Sequence, residues 1–387
     1  MISFWEKTQL LNYDLVVLGG GISGMFCALE YRKLNPKASI AIIERGLFSN
    51  GASTKNAGFA CFGSLTELMS DAKHMDNKSL CKIVQMRIDG LSLLRETLGD
   101  KNIDLKWKGG YELFFDKEPK ALNQIDHFND LLRPIFEKKV FHWNNTRIKQ
   151  FGFAEDRVKH IIENPFEGQI DTGMMIRSLR SKVNQMDISF FSNLTLTGFE
   201  THENKNHLSL ILKNQDINLK SEKLAICNNA FATQMFPSLD ISPGRGLVIL
   251  TEPITNLKLD GAFHYQEGYY YFRNIKNRIL LGGGRSVDFK TENTSSFGIN
   301  PKIKSQLIED LQDFINPKQK ASVAMEWSGI MAFGKDKMPT IKKHQKNIGN
   351  QNRDYMPLPA GIFEFIGYQD VLWNEMMAAS LVGVLPV

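Results

Sequence analysis

Cysteine is scarce in this chain of 387 residues: there are four, at positions 27, 61, 81 and 227. No two form a C-x-x-C pair and no zinc-ligand spacing appears, so neither a disulfide framework nor a metal site is expected. Scattered thiols suit a reducing compartment, and a cytoplasmic location is the expectation. No apolar run is long enough for a membrane-spanning helix. The opening residues, MISFWEKTQLLNYD, lack a basic stretch followed by an apolar one, so no signal peptide is expected. An excess of one charge is missing too. Lys and Arg number 47 against 42 Asp and Glu, for a net charge of +5. The longest basic cluster is the short IKKHQKN at 341–347. Such a surface is solvated and no nucleic-acid partner is expected. There is no internal repeat, no G-x-S-x-G elbow and no H-E-x-x-H, and the eight histidines are scattered. What remains is a globular composition, 42% hydrophobic and 23% charged, with length for two domains.

Glycine, by contrast, is concentrated in YDLVVLGGGISGMFCALE at 13–30. DLVVL (14–18) suits a strand buried on both faces. ISGMFCALEYRKLN (22–35) reads as a helix with Phe26, Leu29 and Leu34 on its inner side and Pro36 beyond its end. SIAIIE (39–44) reads as a second buried strand, completing a β-α-β unit. Gly19, Gly21 and Gly24 fit G-x-G-x-x-G. The first permits the tight turn, the second lets amides approach a pyrophosphate, and the third lets the helix pack close. Ser23 lies within that turn, where the helix N-terminus offers unpaired N–H groups. Glu44 ends the second strand 20 residues after Gly24, where a carboxylate can accept both ribose hydroxyls of an adenosine. A dinucleotide is therefore expected. The motif alone does not separate FAD from NAD.

The next stretch, RGLFSNGASTKNAGFACFGS (45–64), sets small and amide-bearing residues where a flat ligand could lie. Here the sequence resembles the D-amino-acid oxidase-like family of FAD-dependent oxidoreductases, which includes glycine oxidase, sarcosine oxidase, D-amino-acid dehydrogenase and γ-glutamylputrescine oxidase. Its members carry E-R-x…G-A-S-x-R-N-A-G-F. Glu44, Arg45, Ser53, Asn56, Ala57 and Gly58 match, and Lys55 replaces the usual arginine. Further similarity lies in LAICNNAFATQMFP (224–237), where Asn229 and Ala230 match while Cys227 and Asn228 depart. SPGRGLVILTEPI (242–254), GYYYFRNIKNRILLGGGR (268–285) and EWSGIMAFGKDKMPTI (326–341) extend it over roughly residues 13 to 341. The tail departs. Where the family has a glycine-rich turn facing the flavin pyrimidine, this chain has Trp373, Asn374 and Glu375 ahead of SLVG (380–383). Either the tail is rearranged or flavin binding is impaired.

The resemblance implies an α/β (α+β overall) fold, in which a Rossmann-like FAD-binding domain is interleaved with a mixed β-sheet substrate domain. FAD-domain segments would be about 1–85, 155–235 and 322–387, with the substrate domain at 86–154 and 236–321. Local patterns agree: strands about Gly109-Gly110 in IDLKWKGGYELFFD, a helix over 121–139, strands in 207–226, and a hairpin about KN in YYYFRNIKNRILLGG. The implied cofactor is FAD, held without a covalent link, since the last cysteine, Cys227, lies in the adenosine-side motif. The implied reaction moves a hydride from the α-carbon of a small amine or amino acid to flavin N5, giving an imine that hydrolyses. Oxygen or an electron carrier would be the acceptor. On a strand, Tyr269, Tyr271 and Arg273 would share a face, making Tyr271 and Arg273 the substrate-site candidates. Arg285 reads as structural, Arg245 as shaping a turn near the flavin, and His264 as a packed histidine more readily than a pocket residue. Alternatives are a 2-hydroxy-acid dehydrogenase on the same cofactor, and a non-catalytic family member with impaired flavin binding. An NAD-dependent dehydrogenase is disfavoured by GASTKNAGF and by the hairpin.

Overall fold

The computed structural model describes residues 2–202, 207–215, 217–237 and 239–334. Its first sheet grows around β1 (Asn12–Leu18). Leu15 and Val17 face one core while Val16 and Leu18 face another, so the strand is buried on both sides, as its unbroken apolar run requires. Each such side chain contributes roughly 1.5–3 kcal/mol by leaving water. α1 (Ile22–Leu34) crosses back to β2 (Ile40–Ile43), which runs parallel to β1. Ile22, Met25, Phe26 and Leu29 pack inward. Leu34 does not: it is 55% exposed at the last turn, where the chain is already leaving for Pro36.

Further along the chain come β3 (Phe59–Ala60), α2 (Leu65–Asp71), α3 (Asn77–Leu98) and β4 (Gly110–Phe114). α4 (Ile125–Phe136), β5 (His142–Trp143), α5 (Thr146–Phe151), β6 (His160–Asn164) and β7 (Gly168–Gln169) follow. The expected helix over 121–139 is thus a 3-10 turn at Lys120–Gln124 leading into α4. α6 (Thr172–Gln185) packs on α1 and leads to β8 (Ser189–Phe191), β9 (Leu196–His202), β10 (His207–Leu212) and β11 (Leu219–Ile226). The first sheet has the order β8-β2-β1-β11-β10-β9, with β11 returning parallel to β1.

The second sheet takes β12 (Ser242–Thr251), β13 (Ala262–Tyr265), β14 (Tyr270–Ile275) and β15 (Arg278–Gly283). α7 (Phe289–Glu292) and α8 (Pro301–Asp310) then precede β16 (Val323–Phe333). Its order is β16-β12-β15-β14-β13-β4-β6-β5. The β14–β15 hairpin turns at Lys276 and Asn277, with Ile275 opposite Arg278 and Lys276 at φ 54°. No hairpin forms about Gly109-Gly110. Gly109 N donates to Glu167 O and Gly109 O accepts from Ala262 N, so the glycine enters a sheet whose partners lie far along the chain. Only β4 survives of the two strands expected there, between β13 and β6. β6 and β16 belong to this second sheet by hydrogen bonding, so boundaries near 155 and 322 cut across it. The overall class is the expected α/β one.

Candidate cofactor and substrate site

The glycine turn sits at the C-terminal end of β1. A Cβ on Gly24 would lie 1.9 Å from Gly19 O, and Gly19, at φ 110°, would place one 2.4 Å from Cys227 O. No side chain fits at either position, and helix and strands close on the turn because none is there. Gly21 caps α1 without a side-chain hydrogen bond, so the first amides of the helix need partners from outside it. Ser53 meets one of them, its Oγ accepting from Ile22 N at 3.0 Å. Gly21, Ser23 and Ser53 are half-buried around this N-terminus. Glu44 is 7% exposed. Its carboxylate accepts from Gly20 N at 3.0 Å and Gly46 N at 2.8 Å, so it also holds the turn in shape.

After β11, Asn229 adopts φ 56° and donates to Ile330 O at 3.1 Å, while Ala230 is buried with Phe231 and Ile330. The Arg45 guanidinium lies 3.7 Å from the centre of the Phe231 ring. Asn228, which departs from the family pattern, runs its backbone beside Gly19 and keeps a buried Oδ1 without a partner among the described residues. A glycine cradle, an open helix N-terminus, a strand-end carboxylate and an orphaned amide oxygen together fit a dinucleotide.

The loop after Glu44 is stitched to both sheets. Asn56 Oδ1 accepts from Gly58 N (2.9 Å) and from Thr172 Oγ1 (2.8 Å). Lys55 O accepts from Trp327 Nε1 at 2.9 Å, and the Lys55 side chain packs where Gly329 has none. Ala57 is buried against the same cluster as Tyr271. Gly58, at φ 73°, offers its carbonyl to Arg273 Nη1 at 2.5 Å, and the same nitrogen donates to Ile170 O at 2.8 Å. Arg273 is 7% exposed, and burial holds its guanidinium down at about 10, against Asp171 and Asp104. Its geometry is that of a clamp joining the hairpin to the loop. Tyr271 packs edge-on to Phe59 at 5.8 Å, and burial pushes its phenol well up. Tyr269 does not share their face. β14 starts one residue later, and Tyr269 packs with the opposite core and with Phe289.

Another arginine occupies that face. Along β12, Val248 lies in the Tyr271 cluster, so Gly246 and Gly244 point the same way while Arg245 points the other. A Cβ on Gly244 would meet Phe333 at 2.3 Å and Arg285 Cζ at 2.8 Å, and one on Gly246 would meet Met331 at 2.9 Å. Arg285 therefore lies over the sheet with Met331 and Phe333, its Cζ 4.1 Å from the Phe333 ring centre. Among the described residues no acid pairs with it, and its buried Nε has no partner. Burial lowers its affinity for its proton, with Tyr269 and Glu292 opposing. Arg245 is within a strand, not a turn, and Glu292 neutralises it through two bonds of 2.9 and 2.8 Å. The signal for Arg285 was present as three glycines before it: small residues at a strand end leave room above a sheet. Trp373, Asn374, Glu375 and SLVG lie outside the described residues.

A family model described as "FAD dependent oxidoreductase" matches residues 14–358. No curated protein matches. Among solved structures, glycine oxidase from Geobacillus kaustophilus is 18% identical with a TM-score of 0.68, over 97% of this chain and 94% of that one. L-proline dehydrogenase from P. horikoshii is 15% identical at a TM-score of 0.68, covering 96% and 91%. L-α-glycerophosphate oxidase from Mycoplasma pneumoniae, solved with FAD bound, is 12% identical at 0.67, covering 96% and 93%. At such identities these likenesses speak for the fold. With the family match over most of its length, the chain belongs to the FAD-dependent oxidoreductase family, and its cofactor is FAD.

Proposed function

We propose that this enzyme dehydrogenates a small amine or amino acid whose anionic group is held by Arg285. The observation that carries the reading is a half-buried guanidinium, without an acid partner among the described residues, on the same sheet face as Tyr271, whose cluster includes Ala57 of the loop that carries the flavin motif. Gly19, Gly21, Ser23, Gly24 and the α1 N-terminus would receive the pyrophosphate, and Glu44 the ribose. Arg45, Asn229 and Ala230 would border the adenosine, and Ser53, Lys55, Asn56, Ala57 and Gly58 the flavin, without a covalent link. When bound, FAD supplies a hydride acceptor at N5 for the substrate α-carbon, leaving an imine that hydrolyses. The chain orients and desolvates. Arg285 fixes a carboxylate, Phe333, Met331 and Tyr271 give an apolar wall that excludes water, and Arg273 keeps the loop against the hairpin. Two of the similar structures are named for amino-acid substrates and one for glycerophosphate, an alcohol. A 2-hydroxy acid presents the same carboxylate, so it is the second reading.

Acid precipitation of the purified chain should release a yellow supernatant. Anaerobic bleaching by a panel of amino acids, amines, 2-hydroxy acids and glycerophosphate then assigns the substrate. Recovery of colour in air or only with a carrier separates oxidase from dehydrogenase. A colourless protein that refuses added FAD would favour a non-catalytic family member.

A further inference from the structure

The sheet face of Tyr271 continues through β13 and β4 to a small internal cavity, lined among others by Ser64, Glu112, Asn164, Glu167 and His264. It leaves ≈ 10 Å³ for the centre of a small occupant, about the room one water needs. Three ionisable side chains line it, Glu112 from β4, Glu167 from the turn before β7 and His264 from β13, and a fourth, Glu67 from α2, stands near enough to interact with His264 and Glu167. All are nearly inaccessible, at 3%, 1%, 1% and 4%. Arg87 of α3 is the nearby fixed cation, and its Nη1 donates to Phe62 O at 2.6 Å. Cys61 also faces the group, and burial together with Glu167 and Glu67 holds it as a thiol.

The hydrogen bonds do not close. Glu112 accepts from Ser64 Oγ (3.0 Å), from Thr66 N (3.1 Å) and from the Thr66 hydroxyl. Glu67 Oε2 accepts from Ser64 N at 2.7 Å, but its Oε1 has no partner among the described residues. His264 Nδ1 has none either, and Nε2 stands 3.4 Å from Glu167 Oε2 without hydrogen-bond geometry. Among the described residues, three carboxylates face at most two cations, so one negative charge would stay uncompensated in the interior. A bare buried charge costs several kcal/mol, and a proton removes it at far lower cost.

We propose that Glu67, Glu112, Glu167 and His264 form an internal proton-binding site, built around one water, that shares one exchangeable proton among its carboxyls. The site adjoins the loop that carries the flavin motif. Phe59 packs edge-on to His264 at 5.2 Å and to Tyr271 at 5.8 Å, and Ser64 starts α2 with a capping box to Glu67. Burial pushes Glu112 from 4.5 up to about 7, against its Thr66 bonds. Burial also raises Glu67. Burial would lower His264, but Glu167, Glu67 and Glu112 outweigh it and raise it. All three shifts are upward, so each contributes stability that is complete below the unfolded value and lost as pH rises through the folded one.

The test is thermal unfolding of the full chain from about pH 5 to 8, wild type against Glu112→Gln, with infrared detection of protonated carboxyl. For Glu112 the shift from 4.5 to about 7 weakens the folding constant by roughly 70-fold between about pH 5 and 8, out of about 300-fold in all. Glu112→Gln should flatten this slope. In the wild type a protonated-carboxyl band should titrate above pH 6, and Glu112→Gln or Glu67→Gln should remove it. Should the variants not fold, the wild-type band decides alone. Absence of any carboxyl band above pH 6 overturns the proposal, as does a band untouched by both substitutions.

Discussion

Replacing Arg273 by methionine separates a clamp from a substrate anchor. Its Nη1 bridges Gly58 O and Ile170 O, carbonyls more than 100 residues apart in the chain, at 2.5 and 2.8 Å. Two bonds from a charged donor are worth about 1.5–3 kcal/mol each. Against them stands the cost of burying the guanidinium. Its fall from 12.5 to about 10 corresponds to roughly 3 kcal/mol at 1.36 kcal/mol per unit. Gly58 O keeps its bond from Ile170 N, but Ile170 O loses its donor in the methionine variant. The net loss is therefore about 1–3 kcal/mol, a fall in Tm of a few degrees for a chain this long. Loop 56–58 loosens with it, so flavin affinity should drop alongside. Arg273→Lys, with a point-like ammonium in place of a fork, should recover part of both. Calorimetry and a flavin titration on the same preparations read the two quantities. An Arg273→Met protein with wild-type Tm and flavin content, defective only toward anionic substrates, would refute the clamp and restore Arg273 as the anchor.

Arg285→Met should leave Tm and flavin content near wild type and cut kcat/KM for anionic substrates by roughly 30-fold or more, since breaking a charged pair costs about 2–5 kcal/mol. An equal loss toward neutral amines would show that the residue shapes the pocket instead of holding an anion. Glu44→Ala removes the acceptor for Gly20 N and Gly46 N as well as the proposed ribose contact, so FAD affinity should fall at least about tenfold in isothermal titration. Unchanged affinity in a folded protein would make Glu44 a strand-end residue only. Gly24→Ala puts a methyl 1.9 Å from Gly19 O, and an ordinary contact of 3.4 Å requires α1 to retreat by about 1.5 Å. FAD binding should be lost, and retained tight binding would mean the turn does not receive the pyrophosphate.

The contrast between the two arginines marks what the sequence could reveal. The glycine turn was readable because its spacing is local: Gly24 avoids the carbonyl of Gly19 five residues before it, although the clash Gly19 avoids is with Cys227 O at the end of β11. The β14–β15 hairpin was readable for the same reason, its turn lying between two apolar runs. Period-two alternation also grouped Tyr271 with Arg273 correctly, but alternation states which face a side chain takes and not what waits there. For Arg273 the occupants are carbonyls delivered by residues 58 and 170, which no window around 273 contains. Arg285 lies past the last strand residue, Gly283, where alternation no longer applies, and its place over Gly244 follows from sheet order. Gly109-Gly110 failed in the opposite direction: a sound local turn signal gave way to pairing with β13 and β6. The acid–histidine cavity lies furthest from sequence reach. Glu67, Glu112, Glu167 and His264 have no common motif or spacing, and they become one group only when α2, β4, the turn before β7 and β13 are packed together. Their chemistry is a property of burial, so it emerges only once the fold has decided which carboxylates lose their water.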